Sequence, residues 1–266
     1  MEDWLLKTAW PMTPPLPFSA FHICFTILGL TAAALLAWRL RHIPYSSRVV
    51  ILFIIGILLA LSECYKQLFL YYVVNHYNYD WWYFPFQLCS IPMYLCLFLP
   101  FAGKTGGKWQ RILCTFMYSY NLPGSILVFA APYGMMHPYW TLTLHSFLWH
   151  IVLVFIGLLI IFSDMGTASY RGLAGATGIF LVCCLIATAV NVLASPYGYP
   201  DMFYITPYYP TTQPVFSAIA ERFGIMAGDL SYLATIVFGA FVLHVGYRRR
   251  FVEEGERRRD GRGSEW

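Results

Sequence analysis

The chain has 266 residues, 59% of them hydrophobic and 11% charged, with a formal net charge of +4. A soluble domain carries about 25% charged residues because its surface faces water. The deficit here runs along the whole chain and excludes such a domain. The positive charge does not point to nucleic acid either. Arg248, Arg249, Arg250, Arg257, Arg258, Arg259 and Arg262 crowd the C-terminal tail, where cations after an apolar run anchor a helix end to anionic lipid.

Residues 1–18 are mildly acidic and proline-rich and lack the positive n-region of a signal peptide. We expect an extracellular N-terminal segment there. A helix needs roughly 20 apolar residues to cross the hydrocarbon. Runs of that order occur at 19–38, 49–74, 84–101, 112–131, 140–162, 172–194 and 225–245, the third interrupted by Pro92. They predict an all-α polytopic membrane bundle of seven transmembrane helices over 19–247, followed by a basic cytoplasmic tail over 248–266.

The linkers orient the bundle. Arg39, Arg41 and Arg48 follow the first span, Lys104, Lys108 and Arg111 the third, Arg171 the fifth, and the arginine-rich tail the seventh. Linkers 75–83 and 132–139 have no Lys or Arg, and 195–224 has only Arg222. The positive-inside rule then puts the N-terminus outside and the C-terminus in the cytoplasm of a cell-membrane protein, and an even span count would break the alternation. Aromatic residues mark the outer rim, at Asp80-Trp81-Trp82-Tyr83 and along 195–224, as expected of apolar rings with a polar handle. The long, Pro-rich 195–224 linker reads equally as a lid or as a plain loop.

Ionisable residues inside spans are costly and mark candidate functional sites. By this orientation Glu63, Lys66, Gln87, Cys89, Asn121, His145, His150, Asn191 and Asp229 all lie at mid-depth or further out, and only His244 is left in the inner half. The pattern predicts a polar cavity open to the outer face. Glu63 and Lys66 are three apart, on one helical face, and equally fit an ion pair that locks the bundle. His145 and His150 are about 140° apart around a helix, unlike an i, i+4 metal pair. The seven cysteines are dispersed through apolar stretches with no C-x-x-C pair. No metal or other cofactor is predicted, and most of the cysteines read as small core residues.

Cys89 has the most suggestive surroundings. Pro85 precedes it by four residues and Pro92 follows by three. A proline inside a helix removes a donor and pushes the helix off a carbonyl, here that of Leu88. Such breaks persist at membrane depth only where protein or a wet cavity satisfies the freed groups. The positive end of the third span would also favour a thiolate. The spacing by itself favours a packing cysteine over a nucleophile.

Glu63-x-x-Lys66, Phe84-Pro85-Phe86-Gln87-Leu88-Cys89, His137-Pro138 and Leu144-His145-Ser146 carry a resemblance to the YwaF-type family of bacterial integral membrane proteins. That family resembles in turn a vertebrate transmembrane acyltransferase that places polyunsaturated acyl chains on ether phospholipids. The resemblance runs from the second span to the seventh and implies a cysteine nucleophile at Cys89 assisted by His145, with His150 as the other histidine. Where bacterial relatives often have an Asn-Tyr element, this chain reads Asp201-Met202-Phe203-Tyr204. The implied chemistry is transacylation: Cys89 takes an acyl chain from a phospholipid and passes it to a lysolipid. Gln87, Asn121 or Lys66 would steady the oxyanion, with Glu63 and Asn191 in support. Coenzyme A thioesters are cytoplasmic, so a site opening outside would use a lipid donor directly. Membrane phospholipids and lysolipids are the expected partners. The alternative is a transporter or receptor that holds a small polar or lipidic ligand with the Glu/Lys/His cluster.

Overall fold

The computed structural model describes residues 2–263, with side chains over 2–250. Arg257, Arg258, Arg259 and Arg262 of the basic tail therefore lie outside the described side chains. A short helix α1 (Glu2–Lys7) comes first, followed by α2 (Ala20–Leu40) and α3 (Tyr45–Phe69). Next are α4 (Ile91–Phe98), α5 (Lys108–Phe116) and α6 (Leu122–Leu127). The chain ends with α7 (Trp140–Phe162), α8 (Tyr170–Ala194), α9 (Pro214–Phe223) and α10 (Ile225–Gly263).

Among the described residues, six stretches are long and apolar enough to cross a membrane: Ala20–Leu40, Tyr45–Val74, Lys108–Ala130, Trp140–Phe162, Tyr170–Tyr197 and Ile225–Arg250. Their limits lie within a few residues of the apolar runs in the sequence, because a run of that composition has few other ways to hide its backbone polar groups in lipid. The remaining run, the third, is shorter than its apolar residues suggest. Helix occupies only Leu88–Phe101, about 20 Å at 1.5 Å per residue, against roughly 30 Å of hydrocarbon. Residues 84–87 are not helical.

Lys108–Ala130 is the central element, with 67% of its most apolar window buried, against 17% for α2 and 11% for α10. It is not a uniform α-helix. Residues Met117–Asn121 form a π-turn just before Pro123. Pro123 has no N–H to offer the Ser119 carbonyl, and a wider turn accommodates that gap. The main apolar cluster joins α3, α4, α5 and α7 through Leu52, Met93, Cys96, Cys114 and Leu153. Gly56 lets α3 approach α4 closely, since a Cβ there would come within 3.0 Å of Leu97 N. Such close contacts hold bundles whose outer faces meet lipid rather than water.

Two ends can be told apart. At the arginine end, Arg48 donates to the Ser163 carbonyl at 2.7 Å, Arg111 to those of Asp164 and Gly166 at 3.2 and 3.0 Å, and Arg250 to that of Ile161 at 3.0 Å. These cations thus bind the end of α7 and the loop that follows it. The aromatic end carries linkers 75–83, 132–139 and 195–224, and the first and last of these meet where Trp82 touches Tyr204. The N-terminal segment is folded onto this end. Leu5 and Ala9 are buried against Phe69, Leu70 and Leu142, and Trp140 N donates to the Trp10 carbonyl at 3.0 Å.

Candidate functional site

The site is organised by the approach to α4. Pro85 cannot donate a hydrogen bond, and Phe86 N turns back to the Phe84 carbonyl at 2.7 Å. The helix begins only at Leu88, with a 3-10 turn over Leu88–Ser90. Pro92 does not interrupt the helix as its position in the apolar run suggested. It sits in the first turn of α4, where its missing N–H would have had no partner anyway. The exposed carbonyls of this start are met by side chains from two other helices. Asn121, turned by the π segment, donates Nδ2 to the Leu88 carbonyl at 2.5 Å, and Trp149 of α7 donates Nε1 to the Cys89 carbonyl at 3.1 Å. Cys89 is therefore held from both sides.

It opens onto a cavity of about 200 Å³ near the aromatic end, lined among others by Glu63, Lys66, Gln87, His137, His145, His150 and Tyr204. Glu63, 4% exposed, takes the Lys66 ammonium at 2.7 Å and the Gln67 amide at 2.7 Å on Oε1. Its Oε2 faces His145 Nε2 at 3.9 Å, while His145 Nδ1 lies 3.2 Å from the Ser62 hydroxyl. His150 Nδ1 lies 2.8 Å from the Ser146 carbonyl. A carbonyl only accepts, so that nitrogen carries the proton and Nε2 keeps the lone pair. The two histidines share one cavity despite their angular separation. Side chains on a helix lean toward its N-terminus, and His150 reaches back one turn to Ser146. His137, in the linker before α7, has its pKa lowered by burial and by the Lys66 charge.

The last linker is a lid in part. Its 201–206 stretch is buried, and Phe203 packs beside Phe86 and Phe180, with ring centroids 6.0 and 6.1 Å away. Gln87 grips this strap with both ends of its amide. Nε2 donates to the Asp201 carbonyl and Oε1 accepts from Phe203 N, each at 2.8 Å. Asn191 does the same for Met202, donating to its carbonyl at 3.1 Å and accepting from its N–H at 2.6 Å. The Asp201 carboxylate accepts from Thr206 N at 3.1 Å through Oδ1, and Oδ2 is buried without a partner. Burial pushes its pKa up to about 7.

Glu63, Lys66, Gln87, Cys89, His145 and His150 thus converge on one cavity. Asn121 and Asn191 stand behind its wall and hold backbone. Asp229, half-buried at the start of α10, and His244, paired with Tyr118 at 2.7 Å, do not line it. Gln67 and Trp149 went unremarked in the sequence, and Tyr204 was read only as part of the aromatic last linker. Gln67 was signalled by its place one turn after Glu63, whereas Trp149 has no local signal. All seven cysteines are free, and Cys24 and Cys64 are exposed on the bundle surface rather than in the core. Among the described residues no three His, Cys, Asp or Glu side chains are grouped to hold a metal.

Several membrane-length helices around a buried polar cavity define a multi-pass α-helical membrane protein. The model of the TMEM164 family matches residues 17–245, and the chain belongs to that family. The match takes in every long apolar helix and leaves out α1. No curated protein and no solved structure matches the chain.

Proposed function

We propose that the protein is a lipid transacylase of the cell membrane in which Cys89 carries the acyl group. The observation that carries this reading is one cavity shared by a cysteine, three histidines and a Glu–Lys pair. Leu88–Phe101 counts here as a seventh, shortened crossing. The non-helical residues before it border the cavity, the setting in which irregular backbone is tolerated at membrane depth. With the cation-rich linkers in the cytoplasm, the N-terminus is outside and the cavity serves the outer leaflet. The likeness of the Phe84–Cys89 and Leu144–Ser146 motifs to the YwaF-type proteins and their acyltransferase relative supports the same chemistry.

His145 takes the Cys89 proton, and the Glu63 carboxylate facing its ring offsets the positive charge it gains. The thiolate attacks a phospholipid ester: the C–S bond forms, the ester C–O bond breaks, and the proton on His145 passes to the departing lysolipid. An acceptor lysolipid hydroxyl then gives its proton to His145 and attacks the thioester: the ester C–O bond forms, the C–S bond breaks, and His145 returns the proton to the Cys89 sulfur.

Intact-protein mass spectrometry after incubation with phospholipid vesicles tests the reading. An acyl adduct released by neutral hydroxylamine and mapped to Cys89 is expected. It should vanish in Cys89→Ala and His145→Ala and persist in His150→Ala. Acyl exchange at the wild-type rate by a well-folded Cys89→Ala protein would refute it. Substrate-dependent uptake into proteoliposomes that survives the same substitution would instead indicate transport.

A further inference from the structure

Phe203 and Tyr204 both adopt left-handed backbone, with φ of 59° and 57°, a conformation bulky residues avoid. Two consecutive aromatics in it need a reason. The four hydrogen bonds from Gln87 and Asn191 impose it, and its effect is to bury Phe203 while Tyr204 turns onto the cavity that Cys89 lines. The Tyr204 ring is fixed edge-on by Trp82 and Tyr232, with centroids 5.9 and 6.3 Å away. No hydrogen bond to its hydroxyl occurs among the described residues. Strain of this kind concentrates where geometry serves a function.

The donors that the sequence offered for an oxyanion are largely committed elsewhere. Gln87 and Asn121 are spent on backbone carbonyls, and Lys66 is paired to Glu63. We infer that Tyr204 is a catalytic residue. Its phenolic O–H donates to the ester carbonyl oxygen as Cys89 adds to the carbon and the oxygen becomes an oxyanion, and Gln87 and Asn191 are positioning residues for it. The C–S bond forms as the carbonyl π pair moves to oxygen, and the pair returns when the lysolipid leaves. Tyr204 keeps its proton throughout. The inference rests on the acyl-transfer reading.

The test is the rate of Cys89 acylation in phospholipid vesicles for the wild type and Tyr204→Phe, which keeps the ring and removes the donor. Loss of one such donor lowers the rate on the order of 10²–10³-fold, with the lipid concentration for half-maximal rate little changed. Gln87→Ala should lower the same rate less, and should add nothing in the Tyr204→Phe background. If Tyr204→Phe melts well below the wild type, Gln87→Ala carries the test, since it leaves every core ring in place. An adduct on wild type and Tyr204→Phe at rates within threefold overturns the role of Tyr204 alone. Absence of an adduct on wild type overturns the acyl-transfer reading and this role with it.

Discussion

Replacing Asn191 with alanine should release the strap over the cavity while leaving the bundle folded. Asn191 is fully buried and holds Met202, also fully buried, by both its N–H and its carbonyl. Left-handed backbone at Phe203 and Tyr204 costs about 1–3 kcal/mol per residue. Each hydrogen bond returns about 0.5–1.5 kcal/mol net, and Gln87, Asn191 and Asp201 make five of them to the strap. The two sides nearly balance, so apolar burial of Met202 and Phe203 supplies the margin. Asn191→Ala removes two bonds and leaves the buried Met202 N–H unpaired, at about 1–3 kcal/mol, while the Met202 carbonyl keeps a 3.4 Å bond from Ile205 N. That is on the order of 5- to 160-fold in the opening equilibrium. Amide hydrogen exchange across 198–209 in detergent measures it directly. Exchange within threefold of the wild type would show that the clamp does not hold the strap.

Two further expectations come from the charged groups. Lys66→Met should destabilise the protein more than Glu63→Gln. Lys66→Met strands a carboxylate 5% exposed, whereas Glu63→Gln strands an ammonium that is 20% exposed and still reaches water. Breaking a buried pair costs about 3–5 kcal/mol, so detergent melting temperatures should separate the two variants, and the reverse order would contradict the assignment of burial. Asp201 provides a pH signature. Burial lifts its folded pKa to about 7, above the usual value of about 3.9, so the native state binds a proton that the unfolded state has lost. Stability should fall as pH rises from roughly 4 through 7 and level off above. Asp201→Asn keeps an acceptor for Thr206 N and should flatten that slope; a slope unchanged in the variant would assign it to another group.

Much of the site was legible because it obeys local rules. The i, i+3 spacing of Glu63 and Lys66 does make an ion pair at 2.7 Å, and the depth of Cys89 and His145 does bring them to one cavity. Gln87 and Asn191 looked like cavity polars for the same reason; Gln87 does line the cavity and Asn191 does not. Both amides pair with backbone, Gln87 across 114 and 116 residues and Asn191 across 11. Matching an amide to an N–H and a carbonyl depends on where a loop lands, which periodicity does not encode.

The amino-acid sequence by itself determined where the long apolar helices run, because lipid forces each long apolar run to satisfy its own backbone. Only the tertiary structure decided that the third apolar run begins its helix at Leu88, that Asn121 and Trp149 cap that start, and that Tyr204 turns onto the cavity. Those outcomes depend on partners from other helices and on a strained strap whose cost is offset by distant hydrogen bonds, and no stretch of the chain contains both halves of such a bargain.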